Sequence, residues 1–167
     1  GENAISAQPS ASLVAEDGRI KEWYLESIKE MMKHNLLPVP YGDVALDLKK
    51  GCCIISTEEI FSYLAPRLDS KRIILAGMVD GVFTADPQKN PEAKLIPEIN
   101  SKNYESIKKY LGGSAGIDVT GGMMHRVERI FELTKFGVEA EIINGRKEDI
   151  LKRALTGERG LGTTIKA

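Results

Sequence analysis

The sequence is poor in the residues that build disulfides and metal centres. Its 167 residues include two cysteines and two histidines, and the cysteines, Cys52 and Cys53, are neighbours. Adjacent strand residues point to opposite faces, so a bond between these two would be geometrically poor. We therefore expect free thiols, one packed inward and one partly exposed, in a cytoplasmic protein. With only His34 and His125 besides, and no Cys-x-x-Cys, a structural zinc ion has no ligand set.

Neither sign of charge is in excess, and no apolar run is long. The chain has 23 basic and 24 acidic residues, so no positive surplus is present to neutralise a nucleic-acid backbone. No apolar run approaches the ~20 residues that span a bilayer, and the first ten residues lack the pattern of a secretory signal. We expect neither nucleic acid nor a membrane as a partner. A hydrophobic content of 42% excludes a disordered chain.

Short apolar runs alternate with amphipathic segments, which is the pattern of an α/β protein with parallel strands. Strands are expected at 11–15, 36–41, 72–76, 139–143 and 162–165, with 36–41 buried, 72–76 central in the sheet and 162–165 at its edge. Residues 44–47 and 52–56 should form a hairpin. Helices are expected over 21–33, 57–65, 104–111, 120–136 and 147–155. Thr57 is predicted to cap the second helix, which should end before Pro66, and residues 88–102 should be a surface excursion.

Glycines at the junctions of strands and helices mark the candidate ligand sites. The best is residues 114–123, SAGIDVTGGM, where a glycine-rich turn leads into a long helix. Amides around Gly121 and Gly122 can bind an anion there, and Arg126, expected to be exposed, lies one turn further on. The alternative is a glycine-rich connection with a solvated arginine. This alternative stays open because neither of the phosphate-binding motifs GxxxxGK[ST] and GxGxxG is present.

Two further junctions carry an aspartate. In residues 77–87 a predicted strand stops at glycine, Asp80 follows, and Asp86 closes a turn with Pro87. A nucleotide base or ribose could lie across that edge, but a tight connection between strands explains the pattern equally well. Asp43, directly after Gly42 and a predicted strand, could hold a lysine or a metal, although such residues as often cap a turn. No catalytic Cys–His arrangement, Gly-x-Ser-x-Gly elbow or carboxylate pair can be assigned.

Several short motifs follow one another in a characteristic order. They are AISAQPSA at 4–11, PVPYGDV at 38–44, VDGV at 79–82, DVTGGM at 118–123 and IING at 142–145. This order resembles the archaeal isopentenyl phosphate kinases of the amino acid kinase superfamily, and the resemblance covers essentially the whole chain. It implies a three-layer αβα sandwich with a mainly parallel central sheet. It also implies transfer of the ATP γ-phosphoryl to isopentenyl phosphate, or to a similar small phosphate acceptor, as in isoprenoid biosynthesis.

The same resemblance implies roles for particular residues. Asp43 and Arg126 would be catalytic, Asp43 by orienting active-site lysines. ATP, with Mg²⁺ bridging its phosphates, would be held by Gly77, Met78, Asp80, Gly81, Thr84, Asp86, Gly121, Gly122 and Arg126. The acceptor would contact Gly42, Ser56 and Thr57. Residues 1–50 would then form the acceptor side, and residues 51–167 the nucleotide-binding segment, of one amino acid kinase-like domain.

The sequence departs from the family pattern in three respects. It lacks the Lys-Gly-Gly-Ser-type loop and the histidine loop, so we expect a C-terminal portion that is inactive alone. Such a portion should form a homo-oligomer or associate with the missing N-terminal part. Residues 56–59 read STEE instead of SGDD, residues 77–78 read GM instead of TD, and Arg126 replaces a lysine. The alternatives are a diverged nucleotide-binding or interaction module, and another small-phosphate kinase of the same fold.

Overall fold

The chain is divided into two compact units of mixed α/β structure. The computed structural model describes residues 1–112 and 121–167, and the units are residues 1–68 and 69–167. Of the seven strand pairings among these residues, four are parallel, and hairpins supply most of the others. The predicted α/β class is therefore confirmed. No helix among the described residues is long and apolar enough to cross a membrane.

The first unit contains six strands and two α-helices. In chain order the strands are β1 (Ala4–Ser6), β2 (Leu13–Glu16), β3 (Arg19–Trp23), β4 (Leu37–Val39), β5 (Asp43–Asp47) and β6 (Gly51–Ile55). A 3-10 helix at Pro9–Ala11 precedes β2, and the α-helices are α1 (Glu26–Lys33) and α2 (Thr57–Arg67). β1 pairs with β4 in parallel, and the other four strands form a sheet in the order β3-β2-β5-β6.

One face of the four-stranded sheet forms the core of the first unit. Alternate residues on β2 and β5, such as Leu13, Ala15 and Ala45, are buried there against Ile28 of α1 and Ile60 of α2. The period of two along each strand produces this separation of faces. The predicted hairpin at 44–56 is confirmed, and both cysteines are free as expected, with Cys52 exposed and Cys53 half-buried.

One buried carboxylate joins the two hairpin turns of this sheet. Asp47 is 1% exposed, and its Oδ2 accepts a hydrogen bond from the Gly18 amide at 2.7 Å. Its Oδ1 accepts the amides of Asp17, Lys49 and Lys50 at 3.1, 2.8 and 3.0 Å. Burial opposes ionisation of Asp47, but these four amides outweigh it and hold its pKa well below the usual range. Its contribution to stability is therefore present at neutral pH and is lost as acid protonates the group.

The described residues of the second unit form one four-stranded sheet and three helices. In chain order the elements are β7 (Arg72–Gly77), β8 (Glu98–Ile99), α3 (Tyr104–Gly112), α4 (Gly121–Thr134), β9 (Glu139–Asn144), α5 (Ile150–Leu155) and β10 (Thr163–Ile165). The strand order is β7-β9-β10-β8. β7 and β9 run parallel over six residues, from Arg72 beside Glu139 to Gly77 beside Asn144.

A buried ion pair connects four parts of the second unit. Arg72 Nη2 lies 2.6 Å from Glu141 Oε2, and the two side chains are 15% and 1% exposed. The same guanidinium donates to the carbonyl oxygens of Ala154 and Glu158 at 2.6 and 2.9 Å. Glu141 Oε1 accepts the amide of Leu161 at 2.8 Å. The pair therefore ties β7 to β9, to the end of α5 and to the segment that enters β10.

Two predictions in the first unit are wrong about where a helix or a buried strand lies. The predicted helix over 21–33 begins only at Glu26, because the preceding residues pair with β2 as β3. Tyr24, which lies within the predicted range but before the observed helix, is 64% exposed. The predicted buried strand at 36–41 is the exposed strand β4, in which Leu37 and Val39 are 53% and 44% exposed.

Other predictions are wrong at the ends of elements and in strand order. Ser56 rather than Thr57 caps α2, since its hydroxyl accepts the Glu59 amide at 3.2 Å. The helix continues through Pro66, which lies in its last turn, so the hydrogen bond that the proline removes is one of the last in the helix. Among the described strands β7 is at the sheet edge and β10 is in the middle, the reverse of the prediction. The expected excursion at 88–102 contains β8, whose Ile99 is fully buried.

Replacing Arg72 by methionine would leave Glu141 as a buried charge without its partner. We expect the free energy of unfolding to fall by about 3–5 kcal/mol, as measured by urea denaturation followed by circular dichroism. The double variant Arg72→Met/Glu141→Leu should recover most of this loss, because no buried charge then remains. Arg159→Met, which removes a pair with Glu139 that is exposed on both sides, is the matched control and should cost about 1 kcal/mol or less. Equal losses in the two single variants would contradict the role given to the buried pair.

Candidate functional site

The residues expected to contact a phosphate acceptor come together in the first unit. Asp43, the first residue of β5, pairs with Ile55, the last residue of β6, and α2 begins two residues later. A Cβ atom placed on Gly42 would lie 3.4 Å from the Ile55 carbonyl oxygen and 3.7 Å from Thr57 Oγ1. Gly42, Ser56 and Thr57 are all exposed. The structure therefore gathers them at one end of the β5–β6 hairpin, beside the start of α2.

Asp43 connects this end of the hairpin to the 3-10 helix. Its Oδ2 accepts the Ser10 amide at 3.1 Å and its Oδ1 accepts the Val44 amide at 2.9 Å. Hydrogen bonds from the Ser10 hydroxyl and amide, and then from Val44, hold the pKa of Asp43 below its usual range. Gln8 donates to the Ser10 hydroxyl oxygen at 2.8 Å. The AISAQPSA and PVPYGDV motifs, which lie far apart in sequence, thus meet at one ionised carboxylate.

The second unit presents a different cluster at the carboxyl ends of β7 and β9. Asp80 lies in the turn after β7, and its Oδ1 is 2.9 Å from Asn144 Nδ2 and 2.8 Å from Lys147 Nζ. The Lys147 hydrogen bond first, and the Asn144 hydrogen bond second, lower the pKa of Asp80. Parallel strands that end side by side form the edge at which α/β proteins bind ligands. We call the Asp80, Asn144 and Lys147 side chains, together with Gly77, the Asp80 edge.

Glycines allow the turn after β7 to pack directly on β10. A Cβ on Gly162 would lie 2.0 Å from the Ile142 carbonyl oxygen and 2.7 Å from that of Asp80. Gly81 has φ +149°, and a Cβ there would lie 2.4 Å from Thr163 Oγ1. The Thr163 hydroxyl in turn accepts the Val82 amide at 2.8 Å. The close approaches at Gly162 and Gly81, together with the Thr163 hydroxyl, therefore hold the turn that contains Asp80.

Of the other residues expected to hold ATP, Met78 lies in this turn, and Thr84 and Asp86 follow it. Met78 is 68% exposed, and the exposed Thr84 bonds through its backbone and its hydroxyl to Lys94. Asp86 Oδ1 accepts the Gln88 amide at 3.0 Å and closes the predicted turn. Its Oδ2 is buried and has no hydrogen-bond donor among the described residues, with Lys89 Nζ at 3.8 Å. One acceptor atom of this turn is thus left without a donor.

The other predicted anion site begins at α4. The glycine-rich turn at 114–120, including the expected cap Thr120, lies outside the described residues. Among the described residues, nothing lies within 4 Å of a Cβ placed on Gly122. Arg126 is half-buried and interacts within the chain, whereas exposure was expected. The apolar stripe of α4 explains the difference, because its neighbour Val127 is fully buried.

Sequence reasoning missed Asn144 and Lys147. Asn144 had a usable signal, since it ends the buried strand β9 and precedes a glycine, as Gly77 ends β7. Lys147 had none, because an exposed lysine in a charged loop is common. No cluster of three or more His, Cys, Asp or Glu that could hold a metal ion occurs in residues 1–112 and 121–167.

Comparison with known proteins identifies the family of this chain. The chain belongs to the amino acid kinase family, whose model matches residues 1–144. It is 39% identical over 165 residues to isopentenyl phosphate kinase of Methanothermobacter thermautotrophicus, covering 97% of this chain and 60% of the relative. It is also 39% identical over 155 residues to isopentenyl phosphate kinase of Methanocaldococcus jannaschii, covering 93% and 55%.

Solved structures agree with this assignment. A crystal structure of isopentenyl phosphate kinase matches 99% of this chain and 60% of its own, with a TM-score of 0.81 and 34% identity. The expected amino acid kinase fold is thereby confirmed. The chain spans 55–60% of the length of the curated relatives described above.

Adding a side chain at Gly162 should disturb the Asp80 edge, because the new Cβ would meet two carbonyl oxygens of the backbone. We expect Gly162→Ala to lower the midpoint of thermal unfolding by about 5 °C or more. Gly122→Ala is the matched control and should leave the midpoint nearly unchanged, since nothing among the described residues lies within 4 Å of its Cβ. Scanning calorimetry of both variants tests this contrast. A Gly162→Ala protein as stable as the parent would show that the turn is not held by this close approach.

Proposed function

We propose that this chain supplies the ATP-binding part of a cytoplasmic kinase of isoprenoid biosynthesis. The kinase would transfer the ATP γ-phosphoryl to isopentenyl phosphate, or to a similar small phosphate acceptor, and so form isopentenyl diphosphate. The observation that carries this proposal is the 39% identity with a curated isopentenyl phosphate kinase over 97% of the chain. That alignment spans both clusters described above.

The second unit offers groups that suit a nucleoside triphosphate. Asp86 Oδ2 is a buried acceptor that has no donor among the described residues, and the amino group of a base or a ribose hydroxyl could donate to it. Gly77 and Gly122 leave the backbone accessible, and Arg126 brings a positive charge to α4. Phosphoryl transfer depends on positioning and charge neutralisation more than on a protein nucleophile. A magnesium ion bound by the phosphates would supply part of that neutralisation.

The first unit offers groups that suit the acceptor side. Gly42 leaves room beside Thr57 at the start of α2, and amides at the start of a helix favour anions. Asp43 is ionised at neutral pH, as a residue that orients a lysine must be. The carboxylates of Glu58 and Glu59 lie in the first turn of the same helix, and their negative charges would repel any phosphate beyond that of the acceptor.

A second candidate function is a nucleotide-binding module with little or no catalysis. The observation that favours it is the set of departures from the family pattern at 56–59, at 77–78 and at Arg126. Each departure falls on a position that the family resemblance assigns to nucleotide or acceptor. Transfer assays with several phosphate acceptors, in the presence of the missing N-terminal part, distinguish the two functions, because only a kinase would form a diphosphate.

Calorimetric titration with ATP and Mg²⁺ tests the proposal on the 167-residue chain itself. We expect saturable nucleotide binding and no turnover of isopentenyl phosphate, because the cationic loops of the family are not in this sequence. Arg126→Ala should weaken binding about tenfold or more, and Arg126→Lys should restore most of the loss.

Lys135→Ala, which removes an exposed charge beyond the end of α4, is the control for the Arg126 variants and should bind like the parent. Absence of nucleotide binding in the parent would overturn the proposed function. Turnover by the pure chain would overturn its expected inactivity. Unchanged binding in both Arg126 variants would remove Arg126 from the site.

We also propose that the chain self-associates through the outer face of its β5–β6 hairpin. This face presents exposed apolar side chains, with exposures of 56% to 78%, from Val44, Leu46, Leu48 and Ile54. In the described sheet β6 is an edge strand, and Gly51–Ile55 contains neither proline nor a charged residue to block pairing. A second copy could pair with this edge in an antiparallel, two-fold arrangement.

Light scattering coupled to gel filtration, at micromolar concentrations, tests this association. We expect the parent to be dimeric or larger and Ile54→Lys to be monomeric, because the new charges would face each other across the two-fold axis. Tyr24→Lys changes an equally exposed residue outside the hairpin and should leave the mass unchanged. A monomeric parent would contradict the proposal. Binding of a separate N-terminal part to this face would show that the face serves that contact instead of self-association.

A further inference from the structure

The loop between β9 and α5 brings positive charge to the Asp80 edge. Residues 145–149 are exposed, and two consecutive basic residues, Arg146 and Lys147, follow Gly145. Lys147 Nζ lies 2.8 Å from Asp80 Oδ1, and the two side chains are 54% and 38% exposed. The remaining charged members of the loop, Glu148 and Asp149, have no ion pair with this cluster among the described contacts.

The Lys147–Asp80 pair is not needed to hold the turn. The Asp80 backbone is fixed by the close approach of Gly162, and the Val82 amide is fixed by Thr163. Asn144 Nδ2 holds the Asp80 carboxylate independently at 2.9 Å. A partly exposed ion pair also contributes little to stability. The position of Lys147 therefore calls for an explanation other than folding.

The charge of Asp80 supplies that explanation if the edge receives a nucleotide. A carboxylate at the carboxyl ends of β7 and β9 would repel the phosphate chain of a nucleoside triphosphate. Lys147 cancels this charge, and the neighbouring Arg146 places a second positive charge next to it in the loop. Asn144, which carries no charge, could not do this.

We propose that Lys147 is a positioning residue of the nucleotide site, which acts by neutralising Asp80 so that a polyphosphate can approach. The inference rests on the proposed function and adds a residue that the family motifs do not include. Lys147 remains bound to Asp80 while the nucleotide is present, and its effect on affinity passes through that carboxylate. Removing the lysine alone therefore exposes the ligand to an uncompensated negative charge.

Titration calorimetry with ATP and Mg²⁺ on the 167-residue chain tests this in a double-variant cycle. Lys147→Met should weaken binding about tenfold, the effect of one unit charge at ~10 Å with an effective dielectric constant of ~20. Asp80→Asn/Lys147→Met should recover most of that loss, since the uncompensated charge is gone. Lys152→Met removes an exposed lysine of α5 that has no ion pair among the described residues and is the control, expected to bind like the parent.

A carboxyl titration followed by NMR gives a readout that does not depend on the ligand. The pKa of Asp80 should rise in Lys147→Met, where the largest cause of its lowering is removed, and should stay unchanged in Lys152→Met. An unchanged Asp80 titration would overturn the inference, because neutralisation would then not come from Lys147.

The binding data separate the inference from the function on which it rests. If the parent binds nucleotide and Lys147→Met binds equally well, the inference is wrong and the proposed function stands. If the double variant is as weak as Lys147→Met, the lysine contacts the phosphates directly, which also overturns its role through Asp80. If the parent itself binds no nucleotide, both proposals fail.

Discussion

The second unit depends on the buried carboxylate of Glu141. This side chain is 1% exposed, and Arg72 and the Leu161 amide satisfy both of its oxygens. By holding Leu161, Glu141 also sets the position of the next residue, Gly162, which lies against the Asp80 carbonyl oxygen. A charge buried near the start of β9 thus helps to place a turn at the opposite end of the sheet.

The two ends of the β7–β9 pair illustrate two uses of an ion pair. Arg72 and Glu141 are largely removed from water, so the loss of either partner is costly and the pair specifies the packing. Asp80 and Lys147 lie at the open end, where water screens their attraction and the fold needs little from it. Groups at such an end are accessible to a ligand, whereas the groups of the buried pair are not.

In the first unit, two aspartates on one strand differ in the same way. Asp47 at the end of β5 is buried and accepts four amides from two hairpin turns, so it is a structural residue. Asp43 at the beginning of β5 is half-buried and accepts the amides of Ser10 and Val44 and the Ser10 hydroxyl, next to the residues expected to contact the acceptor. Residue type and strand are the same, and only the position along β5 separates the two roles.

Local patterns in the sequence determined the α/β class, the hairpin at 44–56, the strands β7 and β9, and the family, whose short motifs survive in order. They did not determine that residues 19–23 are a strand. Apolar residues recur every three to four positions over 21–33, which fits a helix, and only the pairing of β3 with β2 in the folded chain shows the strand. They also did not reveal the pairing of Asp80 with Lys147, which lie 67 positions apart. Only the parallel register of β7 and β9, with Gly77 beside Asn144, brings these side chains together. That register follows from the pairing of both strands in one sheet, a long-range contact that no local pattern encodes.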